Sequence, residues 1–171
     1  IAKHYNLFYL DTGKIYRFIG HEKIRDKKNF NYKNIKRKIK NLKIIKLKDK
    51  KLLTNKVATE ASIIAKDRKI RKIVHNFQTK CAYNPPKKFK GSILDGRDIT
   101  SVIVKDATLK FFITANVKVR ALRRFKELQS LKRKITYKEV LKSIKKRDKS
   151  DYQRKYSPLK KTKDSILINT S

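Results

Sequence analysis

The segment Asp95-Gly96-Arg97-Asp98 places two carboxylates and a guanidinium around a glycine. It directly follows Ser92, Ile93 and Leu94, so it lies where a buried strand is expected to end. The planar fork of an arginine binds two phosphate oxygens at once, and an ionised aspartate accepts hydrogen bonds, for example from an exocyclic amine. Glycine permits a tight turn or a close backbone approach. The segment predicts an anion-binding site at a strand end. An Asp-Gly turn with a local ion pair is the alternative.

A second group with the same placement is Thr12, Tyr16 and Arg17, which follows the apolar residues 7–10. Their spacing fits the first turns of a helix that starts at the strand end. There they could present a hydroxyl, a phenol and a guanidinium to a small anion. The alternative is an ordinary helix N-terminus with a surface arginine.

The remaining arginine clusters lie in the second half of the chain. Arg120, Arg123 and Arg124 have the i, i+3, i+4 spacing of one helix face, which could cover a polyphosphate. Arg147, Asp151 and Arg154 place an acid between two arginines, which suits sugar hydroxyls beside a phosphate. A solvated basic face is the alternative for both clusters.

The composition fits a polyanionic partner, because the 171 residues include 49 Lys and Arg but only 14 Asp and Glu. Lysine supplies 37 of the 49 and is spread along nearly the whole chain, so most of it is interpreted as solvated faces. Cys81 is alone, which excludes an internal disulfide and favours a reducing, cytoplasmic location. The histidines have no metal-ligand spacing, and no apolar run is long enough to span a membrane.

Hydrophobic periodicity gives the elements that must position these residues. Strands are predicted to end at Leu10 and Leu94, and further strands at 109–114 and 165–169. Helical periodicity covers the regions that start near Thr12 and Ile35, one long segment 55–80, and then 117–129 and 136–149. Residues 43–54 are predicted to form a small hairpin. Strands that alternate with helices indicate an α/β fold with a largely parallel sheet, so the ends at Leu10 and Leu94 should open onto one crevice.

Five separated blocks, in this order, resemble the bacterial cytidylate kinases, which are P-loop nucleoside monophosphate kinases. The blocks are FYLDTGKIYR, VATEAS, DGRDITSVIVKDATLKFFITA, RALRRFKELQ and IKKRDKSDYQRKYSPLKKTKDSILINTS. The resemblance implies a P-loop kinase-like parallel sheet flanked by helices. It also implies transfer of the γ-phosphoryl group of ATP to CMP or dCMP with Mg²⁺.

The resemblance also implies roles for individual residues. The acceptor phosphate would be bound by Arg17, Arg97 and Arg154. The cytosine edge would be read by Ser62, Arg71 and Asp98, because an acid accepts from the C4 amino group that uracil lacks. Thr12 and Tyr16 would line the monophosphate pocket, and Arg147 and Asp151 would contact the sugar. Asp95 would lie near the metal and the transferred phosphoryl group. The base of the lid would be formed by Arg120, Arg123 and Arg124.

By the same resemblance, residues 1–30 and 75–171 form the kinase core, with a lid at about 123–137, and residues 31–74 form a monophosphate-binding insertion. The family's phosphate loop and first, central strand are absent from the sequence, so we expect a gap between the strands at 92–94 and 109–114. We also expect no ATP-dependent transfer by the chain as it stands. The expected partners are CMP, dCMP and ATP, with no specific nucleic acid and no membrane, and the chain is expected to be monomeric.

Two other functions remain open from the sequence. One is a basic RNA-binding protein of ribosomal type, and the other is a related kinase for another nucleoside monophosphate. The salt dependence of RNA binding distinguishes an RNA-binding protein from a nucleotide kinase. RNA affinity falls by roughly one log unit per log unit of salt concentration for each phosphate contacted.

Overall fold

Two short parallel strands, Phe8–Asp11 (β1) and Ser92–Asp95 (β2), pair in the N-terminal part of the molecule. Their register aligns Phe8 with Ser92 and Asp11 with Asp95, so both strands end at the same edge. A parallel pair needs a long crossover connection, which the helices between the strands supply. The predicted crevice edge is therefore confirmed for the first two strands. Residues 92–94, predicted to be buried, are half-buried, and Asp95 at the end of the strand is exposed.

The computed structural model describes residues 1–171, which group into two units, Ile1–Lys105 and Asp106–Ser171. Each unit has its own parallel strand pair and its own helices. The predicted α/β class is confirmed, because parallel strands alternate with helices along the chain. No helix in either unit combines the length and the apolar character that crossing a bilayer requires.

The first unit contains four α-helices. They are Gly13–Arg25 (α1), Tyr32–Lys40 (α2), Asn55–Ile64 (α3) and Arg68–Tyr83 (α4). The one long helix predicted over 55–80 is in fact α3 and α4. The chain leaves α3 at Ala65, and the Asp67 carboxylate accepts from the backbone N–H groups of Lys69 and Ile70 to start α4.

The predicted hairpin at 43–54 is wrong. Residues Ile44–Lys48 and Lys50–Leu53 form two short 3₁₀ helices instead, and Asp49 caps the second by accepting from Lys51 N at 2.8 Å. Leu47 and Leu52 are buried beneath these turns. A short apolar run fits a helical turn as well as a strand, and packing against the helices decides between the two.

The helices of the first unit pack through an apolar core and through a close approach of α1 to α3. Ile15 and Ile19 of α1 and Val74 of α4 are fully buried in this core. Gly20 allows the close approach, because a Cβ there would lie 3.1 Å from Ala61 N and 3.3 Å from Val57 O. Both neighbours are backbone atoms, so they cannot rotate away.

Ion pairs reinforce the same arrangement. Glu22 is buried in the last turns of α1, where its carboxylate accepts from Lys38 of α2 and, at 2.9 Å, from Arg25. Lys23 bonds Glu60 of α3 at 2.6 Å. The C-terminal half of α1 is therefore joined to both neighbouring helices.

The second unit pairs strand Phe111–Thr114 (β3) with Ile166–Asn169 (β4), in parallel. Helices Val117–Ser130 (α5) and Tyr137–Gln153 (α6) lie between them in sequence and share a small core of Ala121, Leu128 and Val140. Apolar strand side chains, including Ile113 and Leu167, are exposed. The gap expected between β2 and β3 involves both units and stays a prediction.

We predict that Gly20→Val destabilises the first unit by about 1–3 kcal/mol, because overpacking against fixed backbone forces α1 away from α3. Asn76→Val, at an exposed position inside α4, is the matched control for placing valine in a helix. Urea unfolding followed by circular dichroism measures both. A Gly20→Val variant as stable as Asn76→Val would contradict the close approach.

Candidate functional site

The ends of β1 and β2 are joined by hydrogen bonds to one carbonyl group. The Thr12 hydroxyl donates to Asp95 O at 2.7 Å, and the Thr12 backbone N–H donates to the same oxygen at 2.9 Å. Thr12 is buried and starts α1 without capping it through its side chain, whereas Asp11 Oδ1 accepts from Lys14 N at 3.3 Å. The N-terminus of α1 is thus capped by Asp11, and Thr12 fixes the two strand ends to each other.

Gly96 is needed here because there is no room for a Cβ atom, and not because its backbone adopts a positive φ. Its φ is not positive, but a Cβ at this position would overlap the Thr12 hydroxyl and lie 2.9 Å from Ile99 Cδ1. The predicted close approach is confirmed. A turn of π-helix, Ile99–Ile103, follows at once, and the Asp98 carbonyl accepts from Val102 N at 2.9 Å. Such turns are common near functional sites. Hydrophobic periodicity did not predict this one.

A buried ion pair joins the loop after β2 to α4. Arg71 Nη2 donates to Asp98 Oδ2, and both side chains are more than nine-tenths buried. Arg71 Nη1 also donates to the carbonyl of Ala65 at 3.1 Å. The guanidinium lies over the Tyr16 ring, 5.6 Å from its centroid. Three elements therefore meet at Arg71, and two of the three predicted base readers are in direct contact.

The Asp95 charge affects the protonation of two neighbouring side chains at the strand ends, those of Asp11 and Tyr9. Burial and the nearby Asp95 charge raise the pKa of Asp11. Burial, followed by the charges of Asp95 and Asp11, raises the pKa of Tyr9 to about 12. The Tyr9 hydroxyl donates to Asp95 Oδ2 at 3.4 Å. Sequence reasoning missed Tyr9, although its place two residues before Asp11 puts it on the same strand.

The other predicted residues of the first unit lie on three different elements. Arg17, half-buried in α1, donates from Nη1 to the carbonyl of Leu52 at 2.9 Å. Ser62 is half-buried in α3, and Arg97 is half-buried between Gly96 and Asp98. A carbonyl partner such as Leu52 O has no sequence signal, because every residue carries one.

In the second unit Asp151 lies between two arginines, as the sequence predicts. Its carboxylate is 3.7 Å from Arg147 Nε and 3.5 Å from Arg154 Nη1. The Arg154 side chain is 5% exposed and donates from Nε to the carbonyl of Ser157 at 2.6 Å. These three residues form one cluster at the C-terminal end of α6.

The arginines of α5 contact groups within their own unit. Arg120 makes a bidentate bond to Asp148 of α6, at 2.9 and 2.6 Å. Arg123 donates to Thr170, and Arg124 is 2.8 Å from Glu127. The structure therefore assembles the predicted residues into separate clusters, one set in each unit. Whether Arg17 and Arg97 meet Arg154 remains a prediction.

Parallel strands flanked by helices, with guanidinium and carboxylate groups after a shared strand edge, are consistent with a P-loop kinase-like α/β fold. A family model described as cytidylate kinase matches residues 1–171. The chain belongs to the cytidylate kinase family.

Curated relatives agree with that family. The chain is 36% identical over 186 residues to the cytidylate kinase of Clostridium tetani, which covers all of the chain and 78% of the relative. It is 37% identical over 171 residues to the cytidylate kinase of Azorhizobium caulinodans, covering all of the chain and 81% of the relative. The cytidylate kinase of Fusobacterium nucleatum is 37% identical over 182 residues, again over all of the chain and 81% of its own length.

We predict that Gly96→Ala lowers the stability of the first unit by about 1–3 kcal/mol, because the new methyl group displaces the Thr12 hydroxyl from Asp95 O. Gly91→Ala is the matched control, since its Cβ would meet only the end of the Leu7 side chain, with Cδ2 at 3.3 Å. Thermal melting of both variants makes the comparison. Equal melting temperatures would show that the loop tolerates a side chain at position 96.

Proposed function

We propose that the protein catalyses transfer of the γ-phosphoryl group of ATP to CMP or dCMP, giving CDP or dCDP. The observation that carries this proposal is the buried Arg71–Asp98 pair beside the shared end of β1 and β2. A buried ion pair is costly unless its geometry is well defined, and structural stability alone rarely needs one. A pair in this place supplies a donor and an acceptor for the edge of a base.

Base selection follows from the chemistry of the pair. The Asp98 carboxylate can only accept hydrogen bonds, so it matches the C4 amino group of cytosine and opposes the O4 carbonyl of uracil. Arg71 can only donate, which suits the ring nitrogen and carbonyl of the base. Ser62, on the neighbouring helix α3, is proposed as the third reader. Rejection of uracil arises because a buried acceptor would be left unpaired.

The acceptor phosphate is proposed to bind Arg17, Arg97 and Arg154, and the sugar to bind Arg147 and Asp151. Carbonyl contacts from Leu52 and Ser157 restrain two of these guanidinium groups, those of Arg17 and Arg154. Restrained donors lose less conformational freedom when they bind an anion. Thr12 completes the monophosphate side of the pocket, and residues 31–74 are proposed to be the monophosphate-binding insertion.

The donor side is proposed to involve α5, with Arg120, Arg123 and Arg124 at the base of a lid spanning about residues 123–137 that closes over ATP. Asp95, aligned with Asp11, fits Mg²⁺, because this ion is usually held by one or two carboxylates together with substrate phosphates. When bound, Mg²⁺ neutralises charge on the transferring phosphates. Asp95 and Asp11 would hold its ligand waters at the strand edge.

We further propose that the protein works as a monomer in the cytoplasm, where its unpaired Cys81 stays reduced. The RNA-binding alternative is not favoured, since the family match covers the whole chain. The lysines that suggested it remain an unexplained feature of the composition.

We predict that Asp98→Asn lowers the ratio of CMP affinity to UMP affinity by about 10- to 100-fold, since an amide can turn its NH₂ toward the uracil O4 (about 1–3 kcal/mol). Some stability is also lost, because Arg71 keeps a buried charge opposite a neutral partner. Isothermal titration calorimetry with CMP and UMP on the folded variant measures the ratio.

Glu22→Gln is the matched control for this experiment. Glu22 is another buried carboxylate paired with cations in the same unit, at the far end of α1 from the strand edge. It should lose stability and keep the nucleotide ratio. If both variants keep the ratio, Asp98 does not read the base.

We predict that Arg17→Ala, Arg97→Ala and Arg154→Ala each weaken CMP binding by about 10- to 100-fold while cytidine binding stays within about twofold. Each removes a hydrogen bond to a charged phosphate, worth about 1.5–3 kcal/mol, that cytidine never makes. Arg25→Ala, an exposed arginine in α1, is the control. Equal losses for CMP and cytidine would show that these arginines do not bind the phosphate.

A further inference from the structure

Tyr16 contacts a residue that the resemblance assigns to reading the base. The resemblance places Tyr16 itself with Thr12 on the monophosphate side of the pocket. In the structure its ring is buried in the first turn and a half of α1, beneath the Arg71 guanidinium, with the guanidinium carbon 5.6 Å from the ring centroid. The aromatic face therefore meets a proposed base reader.

The three contacts of Arg71 come from different directions and together fix its orientation. The Ala65 carbonyl accepts from Nη1 at 3.1 Å, and Asp98 accepts from Nη2. Both partners bond to N–H groups at the edge of the guanidinium, and the guanidinium lies over the face of the Tyr16 ring. Hydrogen bonds at the edge leave the group free to turn about them, and its attraction for the ring opposes a turn that would take it away from that face. The attraction comes from the negative face of the ring and is strongest where water is excluded, as it is here.

We infer that Tyr16 is a positioning residue for base selection: its ring holds Arg71, and through Arg71 it holds Asp98, in the orientation that matches cytosine. This inference rests on the proposed function and extends it from the two charged readers to the aromatic residue that supports them. It assigns Tyr16 to discrimination between bases. The phosphate is left to the arginines.

The physical consequence separates two kinds of variant. Removing a phosphate ligand weakens CMP and UMP alike, because both carry the same phosphate. Loosening Arg71 lets the Asp98 carboxylate move with it, so the penalty against uracil falls while binding of the phosphate is unaffected. A change in the CMP-to-UMP ratio, rather than in affinity as such, is therefore the signature of the role.

The test uses Tyr16→Leu, which keeps an apolar side chain but has no aromatic face. We expect the ratio of CMP affinity to UMP affinity to fall by about fivefold or more. Tyr16→Phe restores the ring and should return the ratio toward that of the unmodified chain. Phe18→Leu removes another aromatic ring from the same helix, where it packs on the core, and should keep the ratio.

A second readout follows Arg71 directly. In the unmodified chain the Arg71 side-chain N–H signals should carry a ring-current shift from Tyr16, detectable by nuclear magnetic resonance in an arginine-labelled sample. The shift should persist in Tyr16→Phe and vanish in Tyr16→Leu. This measurement needs no nucleotide, and on the unmodified chain alone it tests the contact even if the leucine variant fails to fold.

The outcomes are separable. A folded Tyr16→Leu chain with an unchanged ratio overturns the inference and leaves the proposed function intact. Equal loss of CMP and UMP affinity also overturns it, because Tyr16 would then serve the phosphate. An unmodified chain with no preference for CMP over UMP removes the proposed function, and the inference with it.

Discussion

The buried ion pair between Arg71 and Asp98 is the constraint on which the rest of the first unit depends. Removing two charges from water costs several kcal/mol for each ion, and their attraction offsets this only when the geometry is well defined. The geometry comes from distant parts of the chain. The register of β1 with β2 places the loop that carries Asp98, and the Asp67 cap starts α4 so that Arg71 lies in its first turn. Gly96 lets the loop lie against Thr12.

Backbone carbonyl groups restrain several of the arginines that are proposed to bind substrate. Arg17 donates to Leu52 O, Arg71 to Ala65 O and Arg154 to Ser157 O. A carbonyl oxygen restricts the side chain but carries no net charge, so the guanidinium keeps its attraction for an anion. Arg71 and Arg154 also pair with the carboxylates of Asp98 and Asp151, as Arg120 and Arg124 pair with those of Asp148 and Glu127. A carbonyl contact therefore restrains a guanidinium, but it does not by itself mark an arginine that binds a ligand.

Sequence reasoning succeeded where a local pattern has one physical outcome. An apolar run followed by Asp11 or Asp95 predicts a strand that ends at a polar edge, and the parallel register confirms that the two edges coincide. It failed where tertiary packing decides, as in the 3₁₀ turns at 44–53 and the break between α3 and α4. The contact of Tyr16 with Arg71 joins residues far apart in sequence, so neither spacing nor composition could predict it.

The most direct test of the account is whether cytosine engages the ion pair itself. The measurement is a nuclear magnetic resonance titration of the purified chain with CMP and with UMP, following the assigned Arg71 guanidinium and Asp98 carboxyl signals. The account predicts that saturating CMP shifts both signals, and that UMP at the same concentration shifts them far less. Signals that stay unchanged while CMP binds, or that move equally with both nucleotides, would contradict the claim that this pair selects the base.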